Sequence, residues 1–401
     1  MKFAVIQERK SPPERRVVLD PKSCQKLLSA FPSAQLIIES SSIRAFSDTD
    51  YLAAGLEVVS DVSTAKVLIG VKEVPIEALI PNKSYFFFSH TIKKQPYNRK
   101  LLQAILDKNI TLYDHETLVN ESNYRLIGFG YYAGVVGAYN GLRALGLKLN
   151  CFELPKATDL NDRAALNAQL DQLVIPNVKI VLTGTGRVGQ GAKEILDHLN
   201  IKQVSIDQFL NNSLTEAVYV QLDVLDYCER QDGTTLEKKD FFKHPEAYKS
   251  TFDRFTAVAD FFIAGHFYGK GAPAFFTREQ AKAPSFNLKV VADISCDIDG
   301  PIACTIRPST IDFPIYGYDA ETGTEVDFRS TSAIAVMAVD NLPCELPKDA
   351  SEGFGHTFVE KIIPAFFDND SVGVLKRAKM TDNGQLTAAF SYLQDYVNGK
   401  E

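Results

Sequence analysis

The stretch Val178-Lys-Ile-Val-Leu-Thr-Gly-Thr-Gly-Arg-Val-Gly-Gln-Gly191 joins a strand-like run to a glycine-rich turn. Its first six residues are largely apolar, which is typical of a buried parallel strand. Gly184, Gly186 and Gly189 follow with the spacing G-x-G-x-x-G. The first glycine permits a tight turn, the second lets the backbone approach a pyrophosphate, and the third lets a helix pack closely on the strand. The stretch therefore predicts a dinucleotide-binding βαβ unit, with a glycine-rich turn of no function as the alternative.

The residues around this turn predict how a dinucleotide is held. Arg187 and Val188 fall in the first turn of the expected helix, whose N–H groups and dipole favour phosphate. Asp207 is expected at the end of the next strand, where an acidic residue hydrogen-bonds the ribose 2′-hydroxyl. A carboxylate there would repel a 2′-phosphate, so we expect NAD as the cofactor, with NADP possible.

Strand and helix patterns alternate on both sides of this unit. Before it, apolar strand-like runs are predicted at residues 2–6, 35–38, 67–71, 85–88 and 110–113. Helices are predicted between them at residues 20–31, 47–55 and 98–108. After it, strands are predicted at residues 204–206, 217–220, 260–263 and 290–294. Such alternation indicates an α/β protein with parallel, helix-covered sheets.

Two small-residue segments, 130–147 and 332–339, are predicted as helices that cross between two Rossmann-like domains around an inter-domain cleft. The polar segment 151–177 is interpreted as a linker region. These interpretations divide the chain into a substrate-binding and catalytic domain, residues 1–135 with 345–401, and a dinucleotide-binding domain, residues 136–344.

Composition limits the classes of partner. The chain has 401 residues, 45% of them hydrophobic and 23% charged, with a net charge of -7. This charge gives no reason to expect nucleic acid or an anionic membrane as a partner. The sequence has no signal-peptide core and no apolar run of membrane-spanning length. Its six cysteines form no C-x-x-C pair, so we expect no metal site. We expect a cytoplasmic protein that is a monomer or a small homo-oligomer.

Ionisable residues follow the predicted strands of the first domain. Lys72 and Glu73 follow the run at 67–71, His90 follows the run at 85–88, and Glu116 follows the run at 110–113. Ligands bind beyond the carboxyl ends of parallel strands, so these side chains are expected to share one crevice. A lysine and a histidine placed there can serve as an acid–base pair.

Each of these residues also has a structural interpretation. Lys72 could be solvated, His90 could be a hydrogen-bonded histidine at the edge of the core, and Glu116 could cap a helix near Thr117. Arg125 could merely pair with a carboxylate, and we assign the neighbouring His115 to the fold. All of these structural interpretations would have to hold around one crevice, so together they explain the pattern less well than each does alone.

Several segments carry a family resemblance. They are Glu14–Pro21, Gly70–Glu73, Phe87–Gln95, Gly128–Gly134, Asp293–Ile302 and Val339–Ser351. Together they resemble the lysine-forming saccharopine dehydrogenase and lysine–2-oxoglutarate reductase family, a relative of alanine dehydrogenase and of the transhydrogenase α subunit. The last two segments are similar to the saccharopine group in particular.

The resemblance implies a set of roles. Lys72 and His90 would be the acid–base pair, and Glu73 and Glu116 would tune their pKa values. Substrate carboxylates would be held by Arg16, Lys93 and Arg125, and Asp340 would lie near the nicotinamide. The implied activity is NAD-dependent interconversion of saccharopine with L-lysine and 2-oxoglutarate through an imine. An NADP-dependent lysine–2-oxoglutarate reductase, another amino-acid dehydrogenase such as alanine dehydrogenase, and a catalytically silent NAD-binding scaffold are the alternatives.

Overall fold

The computed structural model describes residues 1–213, 215–235 and 237–400, which form two compact units. One unit comprises Met1–Phe129 together with the chain from Pro347 onward, and the other is Gly130–Leu346. No helix of the described residues is long and apolar enough to cross a membrane.

The first unit is built on a six-stranded sheet. Its strands are β1 (Lys2–Val5), β2 (Gln35–Glu39), β3 (Glu57–Val59), β4 (Val67–Ile69), β5 (Ser84–Phe87) and β6 (Thr111–Asp114). All neighbours pair in parallel, in the order β3-β2-β1-β4-β5-β6. The order reverses between β1 and β4, and such a switch point is where open α/β sheets bind ligands.

Three helices connect the first strands, namely α1 (Pro21–Ala30), α2 (Asp48–Ala53) and α3 (Arg99–Asp107). Asp20 is the N-cap of α1 and accepts hydrogen bonds from the amides of Lys22 and Ser23. Pro21 occupies the first helical position, where its missing N–H costs nothing. The predicted alternation of strands and helices in this part of the chain is confirmed.

The second unit begins with the helices α4 (Gly130–Leu149) and α5 (Arg163–Leu170) and continues into a larger sheet. Its strands are β7 (Lys179–Thr183), β8 (Lys202–Gln203), β9 (Val218–Leu222), β10 (Cys228–Arg230), β11 (Tyr248–Ser250), β12 (Phe261–Ala264), β13 (Val290–Asp293), β14 (Ile315–Asp319), β15 (Thr324–Val326) and β16 (Ile334–Met337). Eight of them form a sheet in the order β15-β14-β16-β13-β12-β7-β9-β8, and β10 pairs separately with β11. Strands β16 to β8 in this order are parallel, while β14 and β15 are antiparallel additions.

The remaining helices of this unit are α6 (Arg187–His198), α7 (Ile206–Asn211), α8 (Val224–Tyr227), α9 (Lys238–Lys243), α10 (Asp253–Thr256) and α11 (Arg278–Ala281). Helices α4 and α6 pack with their backbones in contact. A Cβ added to Gly134 would lie 1.9 Å from the carbonyl oxygen of Val188, and one added to Gly191 would lie 2.0 Å from that of Tyr131. Gly134 of α4 and Gly191 of α6 therefore allow this close packing.

Three expectations about this unit are wrong. Residues 332–339 are not a crossing helix, because they contain β16, a fully buried strand between β13 and β14. The strand expected at 204–206 ends at Gln203, and Ser205 is instead the N-cap of α7. The supposed linker 151–177 contains α5, which buries Leu166 and Leu170 in the core of the unit.

The chain then completes the first unit with α12 (Pro347–Lys361), α13 (Val374–Ala378), β17 (Thr381–Asp382), β18 (Gln385–Leu386) and α14 (Gln394–Val397). Helix α12 covers one face of the first sheet. The ring of Phe358 on this helix contacts that of Phe86 on β5 edge-on, with centroids 5.6 Å apart. The carboxyl ends of the sheet are left to the loops that carry the ionisable residues.

Candidate functional site

The ionisable residues of the first unit meet at the carboxyl edge of its sheet. Lys72 lies three residues beyond the end of β4, His90 three beyond β5, and Glu116 two beyond β6. These three strands are adjacent and parallel, so their carboxyl ends share one edge. The structure therefore brings together the residues that were predicted to share a crevice.

Glu116 is the centre of this cluster. Its carboxylate lies 3.3 Å from Nδ1 of His90, 3.8 Å from Nζ of Lys93 and 3.7 Å from Nη1 of Arg125. Partial burial pushes the pKa of Glu116 upward, but the hydrogen bond of His90 and the charges of Lys93 and Arg125 outweigh it and hold the pKa below its usual range. Glu116 is therefore ionised near neutral pH and gathers an imidazole, an ammonium and a guanidinium around one anion.

A second carboxylate lies on the other side of the imidazole. Glu73 is 3.9 Å from Nε2 of His90 and 2.7 Å from Nζ of Lys10. The backbone of His90 has φ 54°, in the left-handed region that side chains with a Cβ seldom adopt. Such conformations persist only where the surrounding structure maintains them, and they concentrate at functional sites.

Lys72 is positioned through its backbone. Glu8 accepts the amide of Val71 at 2.6 Å and the amide of Lys72 at 2.9 Å. Burial raises the pKa of Glu8 to about 8 in spite of these two hydrogen bonds. Among the residues that the structure describes, the Lys72 ammonium has no hydrogen-bonded or ion-paired partner, which leaves it available to a ligand. Sequence reasoning missed Glu8, although it follows β1 at the switch point of the sheet.

Arg16 is more buried than a carboxylate anchor was expected to be. The residue is 2% exposed, and its guanidinium bonds both oxygens of Glu14, with Nε–Oε1 2.8 Å and Nη2–Oε2 2.7 Å. It also lies over the ring of Phe129, 4.1 Å from the centroid. Burial pushes the pKa of Glu14 upward, but Arg16 holds it below its usual range. A role for Arg16 in binding substrate stays a prediction. In this structure its guanidinium pairs with Glu14 and packs on the ring of Phe129.

His115 belongs to the interior of the first unit. It is fully buried, and its Nε2 lies 2.9 Å from the carbonyl oxygen of Gly70. Burial lowers the pKa of His115 to about 3, so the ring stays neutral. It supports the turn that leads to Lys72.

The glycine turn of the second unit has the shape that a dinucleotide requires. Gly184 has φ 93°, and a Cβ added to Gly189 would lie 2.0 Å from the carbonyl oxygen of Gly184. The turn is therefore tight at both positions. A Cβ added to Gly186 would meet no atom within 4 Å, which leaves open space beside the backbone. Gly186 is also the N-cap of α6, where Arg187 and Val188 begin the helix. The open space at a helix N-terminus fits a pyrophosphate.

The placement predicted for Asp207 is wrong. Asp207 lies in the first turn of α7, exposed, and accepts a hydrogen bond from Nδ2 of Asn211 at 2.8 Å. The strand before it, β8, is the edge of the sheet and is separated from β7 by β9. Strand β9 lies next to β7 on this side of the sheet, and the residue that follows β9 is Asp223. The sequence analysis did not identify Asp223.

Asp223 is connected to the glycine turn. Its carboxylate accepts a hydrogen bond from Oγ1 of Thr185 at 2.9 Å and pairs with Nζ of Lys238 on α9. Partial burial pushes the pKa of Asp223 upward, but these two partners hold it below its usual range. Asp223 therefore occupies the place beside the turn that was assigned to Asp207.

Asp340 lies three residues beyond the end of β16 and is exposed. Because β16 runs parallel to β13, β12 and β7, Asp340 is on the same edge of the sheet as the glycine turn. Its predicted place near the nicotinamide stays a prediction.

Known proteins resemble this chain over most of its length. Residues 4–136 match the family model for the N-terminal domain of alanine dehydrogenase/PNT. The NAD(+), L-lysine-forming saccharopine dehydrogenase of Yarrowia lipolytica is 24% identical, over 93% of this chain and 95% of that protein. Similarity to saccharopine dehydrogenases and to alpha-aminoadipic semialdehyde synthases extends over more than nine-tenths of this chain.

A second relative and a solved structure extend this similarity. The chain is 31% identical to the mouse mitochondrial alpha-aminoadipic semialdehyde synthase, over 97% of its own length. It spans only 47% of that protein, so it has less than half the length of this relative. A solved structure of L-alanine dehydrogenase has the same fold, with a TM-score of 0.64 and 17% identity over 99% of this chain and 100% of that one.

Proposed function

We propose that this protein is a member of the saccharopine dehydrogenase family, an NAD(P)-dependent oxidoreductase that interconverts saccharopine with L-lysine and 2-oxoglutarate. The observation that carries the proposal is the cluster of Lys72, Glu73, His90 and Glu116 at the carboxyl ends of three adjacent strands. The similarity to saccharopine dehydrogenases and to alpha-aminoadipic semialdehyde synthases supports the choice of substrate.

The proposed cofactor is a nicotinamide dinucleotide, which supplies hydride transfer when bound. Gly184, Gly186 and Gly189 would accommodate its pyrophosphate, and the first turn of α6 would donate N–H groups to it. Asp223 would accept a ribose hydroxyl beside Thr185. The ionisable cluster lies on the first unit and the glycine turn on the second.

The protein's own residues would move the protons. In the oxidative direction the carbon beside the secondary nitrogen of saccharopine would give up hydride to the bound dinucleotide, and the nitrogen would lose a proton. The resulting imine would take up water, and the carbinolamine would break at its C–N bond to give lysine and 2-oxoglutarate. A base must take a proton from the attacking water, and an acid must protonate the leaving amine. Lys72 and His90 are proposed for these two roles, and general acid–base groups contribute ~10²–10⁴-fold.

The charges around His90 match a substrate that bears several carboxylates. Lys93 and Arg125 are 51% and 40% exposed at their side chains, so both can reach a ligand while they remain near Glu116. Arginine and lysine beside a carboxylate-binding position give charge-assisted hydrogen bonds. An alanine dehydrogenase would need fewer such anchors, because its substrate has a single carboxylate.

The first experiment is to follow NADH and NADPH consumption with lysine plus 2-oxoglutarate, and with pyruvate plus ammonia as the matched alternative. Consumption with the first pair alone supports the proposal. Consumption with pyruvate and ammonia alone would show another amino-acid dehydrogenase, and binding of cofactor with no turnover on either pair would show a silent scaffold.

The Lys72→Met variant tests the acid–base assignment. We expect turnover to fall by ~10²–10⁴-fold, because a proton-transfer group is removed. Dinucleotide binding should be unchanged, because Lys72 lies in the first unit and the glycine turn in the second. Lys66→Met is the matched control, since Lys66 is exposed at the opposite end of the same strand, β4. Near-normal turnover in Lys72→Met would contradict the assignment.

A further inference from the structure

We propose that a cavity beside β6 in the first unit is a second small-molecule site, and that it binds an α-amino acid with an aliphatic side chain. The cavity has a volume of about 520 Å³, within the range of about 300–1,000 Å³ that is typical of ligand sites. Its lining does not include Lys72, His90 or Glu116, so it is separate from the ionisable cluster. The inference therefore goes beyond the proposed function and does not depend on it.

The walls of this cavity come from three segments of the first unit. Tyr113 lies on β6, an edge strand of the six-stranded sheet. Leu375 and Lys376 lie on α13, Lys379 follows this helix, and residues 387–389 follow β18. An antiparallel bridge between Tyr113 and Lys379 joins two of these segments. The cavity is therefore formed within a single unit.

The hydroxyl of Tyr113 lacks a partner in this wall. Tyr113 is only 7% exposed, and its ring stacks on that of Phe86 with centroids 4.6 Å apart. Its hydroxyl forms no hydrogen bond with any residue that the structure describes. Burial, together with the charges of Asp382 and Asp370, raises the pKa of Tyr113 to about 12, so the hydroxyl stays protonated near neutral pH. Because buried polar groups are nearly always hydrogen-bonded, an open donor in a cavity wall indicates a place for a ligand acceptor.

The cavity also contains charges of opposite sign that do not pair with each other. The carboxylate of Asp370 accepts the backbone amides of Leu375 at 3.1 Å and of Lys376 at 2.8 Å. Within the described part of the chain, neither this carboxylate nor the exposed ammonium of Lys376 forms an ion pair. Lys379 adds a second ammonium, which is held by Asp382 at 3.4 Å. One anion and one cation of the cavity are therefore free to pair with a ligand.

These groups match a zwitterion with an apolar side chain. The carboxylate of the ligand would accept from the Tyr113 hydroxyl and from the Lys376 ammonium, in charge-assisted hydrogen bonds. Its ammonium would donate to Asp370, because an ionised carboxylate has about four acceptor positions and the backbone amides use two of them. Leu375 and Ala388 supply apolar surface against which an aliphatic side chain would be removed from water.

The first test is isothermal titration calorimetry of the full chain with L-leucine, 4-methylpentanoate and 3-methylbutylamine. The second compound is leucine without its amino group, and the third is leucine without its carboxylate. We expect L-leucine to bind about 10-fold or more tightly than either analogue, because each analogue leaves one charge of the cavity without a partner. Equal or tighter binding of an analogue, or no binding of L-leucine, would overturn the inference.

Two variants locate the bound amino acid. Tyr113→Phe keeps the stacked ring and removes only the hydroxyl, and Lys376→Met removes an ammonium from an exposed side chain. Each should weaken the binding of L-leucine by about 10-fold or more, since a hydrogen bond to a charged group is lost. Lys100→Met, at an exposed lysine on α3, is the matched control and should bind L-leucine as the wild type does.

Wild-type affinity for L-leucine in either Tyr113→Phe or Lys376→Met would place the amino acid outside this cavity and would also overturn the inference. The proposed function would then still stand, because turnover of its substrates is measured separately and its residues do not line this cavity.

Discussion

At the scale of single residues, the carboxylate of Glu116 organises the ionisable cluster. It holds an imidazole and two cations within 4 Å, and it is the only acid in contact with all three of His90, Lys93 and Arg125 among the described residues. Its interpretation as a helix cap near Thr117 explains none of these contacts. Asp114 takes that role instead, because its carboxylate accepts the amide of Glu116 at 2.7 Å.

Glu116→Gln keeps the shape of the side chain and removes its charge. We expect kcat/KM to fall by ~10–100-fold, since hydrogen bonds to charged groups contribute about 1.5–3 kcal/mol. Because the pKa of Glu116 is lowered and the wild-type carboxylate is ionised, the loss should be present throughout the neutral pH range. Glu121→Gln, an exposed position on the same loop, is the control. A kcat/KM equal to that of the wild type would show that the reaction does not use the charge of Glu116.

At the scale of elements, the contact between α4 and α6 determines where the glycine turn lies. The two helices approach until backbone touches backbone, which only glycine permits at Gly134 and Gly191. Because α6 begins at the turn itself, any displacement of this helix moves the N–H groups that are proposed to bind phosphate.

Gly134→Ala should therefore destabilise the protein and weaken dinucleotide binding together. The added Cβ would lie 1.9 Å from a backbone oxygen, and overpacking of this kind typically costs about 1–3 kcal/mol. Gly130→Ala on the same helix is the control, because its nearest neighbour would be 3.5 Å away. Urea denaturation and NADH titration measure the two effects. An unchanged denaturation midpoint in Gly134→Ala would show that α4 and α6 can separate at little cost.

At the scale of the whole molecule, each unit contains a buried glutamate whose pKa is raised into the neutral range. Burial raises the pKa of Glu8 to about 8 in the first unit. Burial likewise raises the pKa of Glu345 to about 7 in the second, where Oε1 accepts a hydrogen bond from Nδ2 of Asn140 at 2.9 Å. The folded protein binds both protons more tightly than the unfolded chain does. This contribution to stability is fully present below about pH 4.5 and is lost as the pH rises through 7 to 8.

Glu345→Gln should make stability less dependent on pH. Relative to the variant, the wild type is expected to lose on the order of 2 kcal/mol of unfolding free energy between pH 5 and pH 8. Glutamine keeps an acceptor for Asn140 and never ionises. Urea denaturation at the two pH values measures the effect, and Glu352→Gln, at a carboxylate whose side chain is 43% exposed, is the control. Parallel pH dependences for the wild type and Glu345→Gln would show that Glu345 ionises at no cost.

The sequence by itself determined the parts of this protein that depend on local chemistry. Buried parallel strands read as continuous apolar runs, and the glycine spacing specifies a turn that few other residues can form. The positions of Lys72, His90 and Glu116 at strand ends follow from these runs, because the carboxyl ends of parallel strands share an edge. Periodicity could not identify β16, since a short run of small apolar residues suits a buried strand as well as a helix.

Only the tertiary structure decided which acid lies beside the glycine turn. Chain order placed Asp207 after the next strand, but β9 inserts between β7 and β8, so the neighbouring strand delivers Asp223 instead. The support of Lys72 by Glu8 likewise joins residues far apart in the chain, whose contact no local pattern specifies. Strand order and side-chain pairing depend on how the whole sheet buries its apolar faces, and that free energy is shared among residues far apart in the chain.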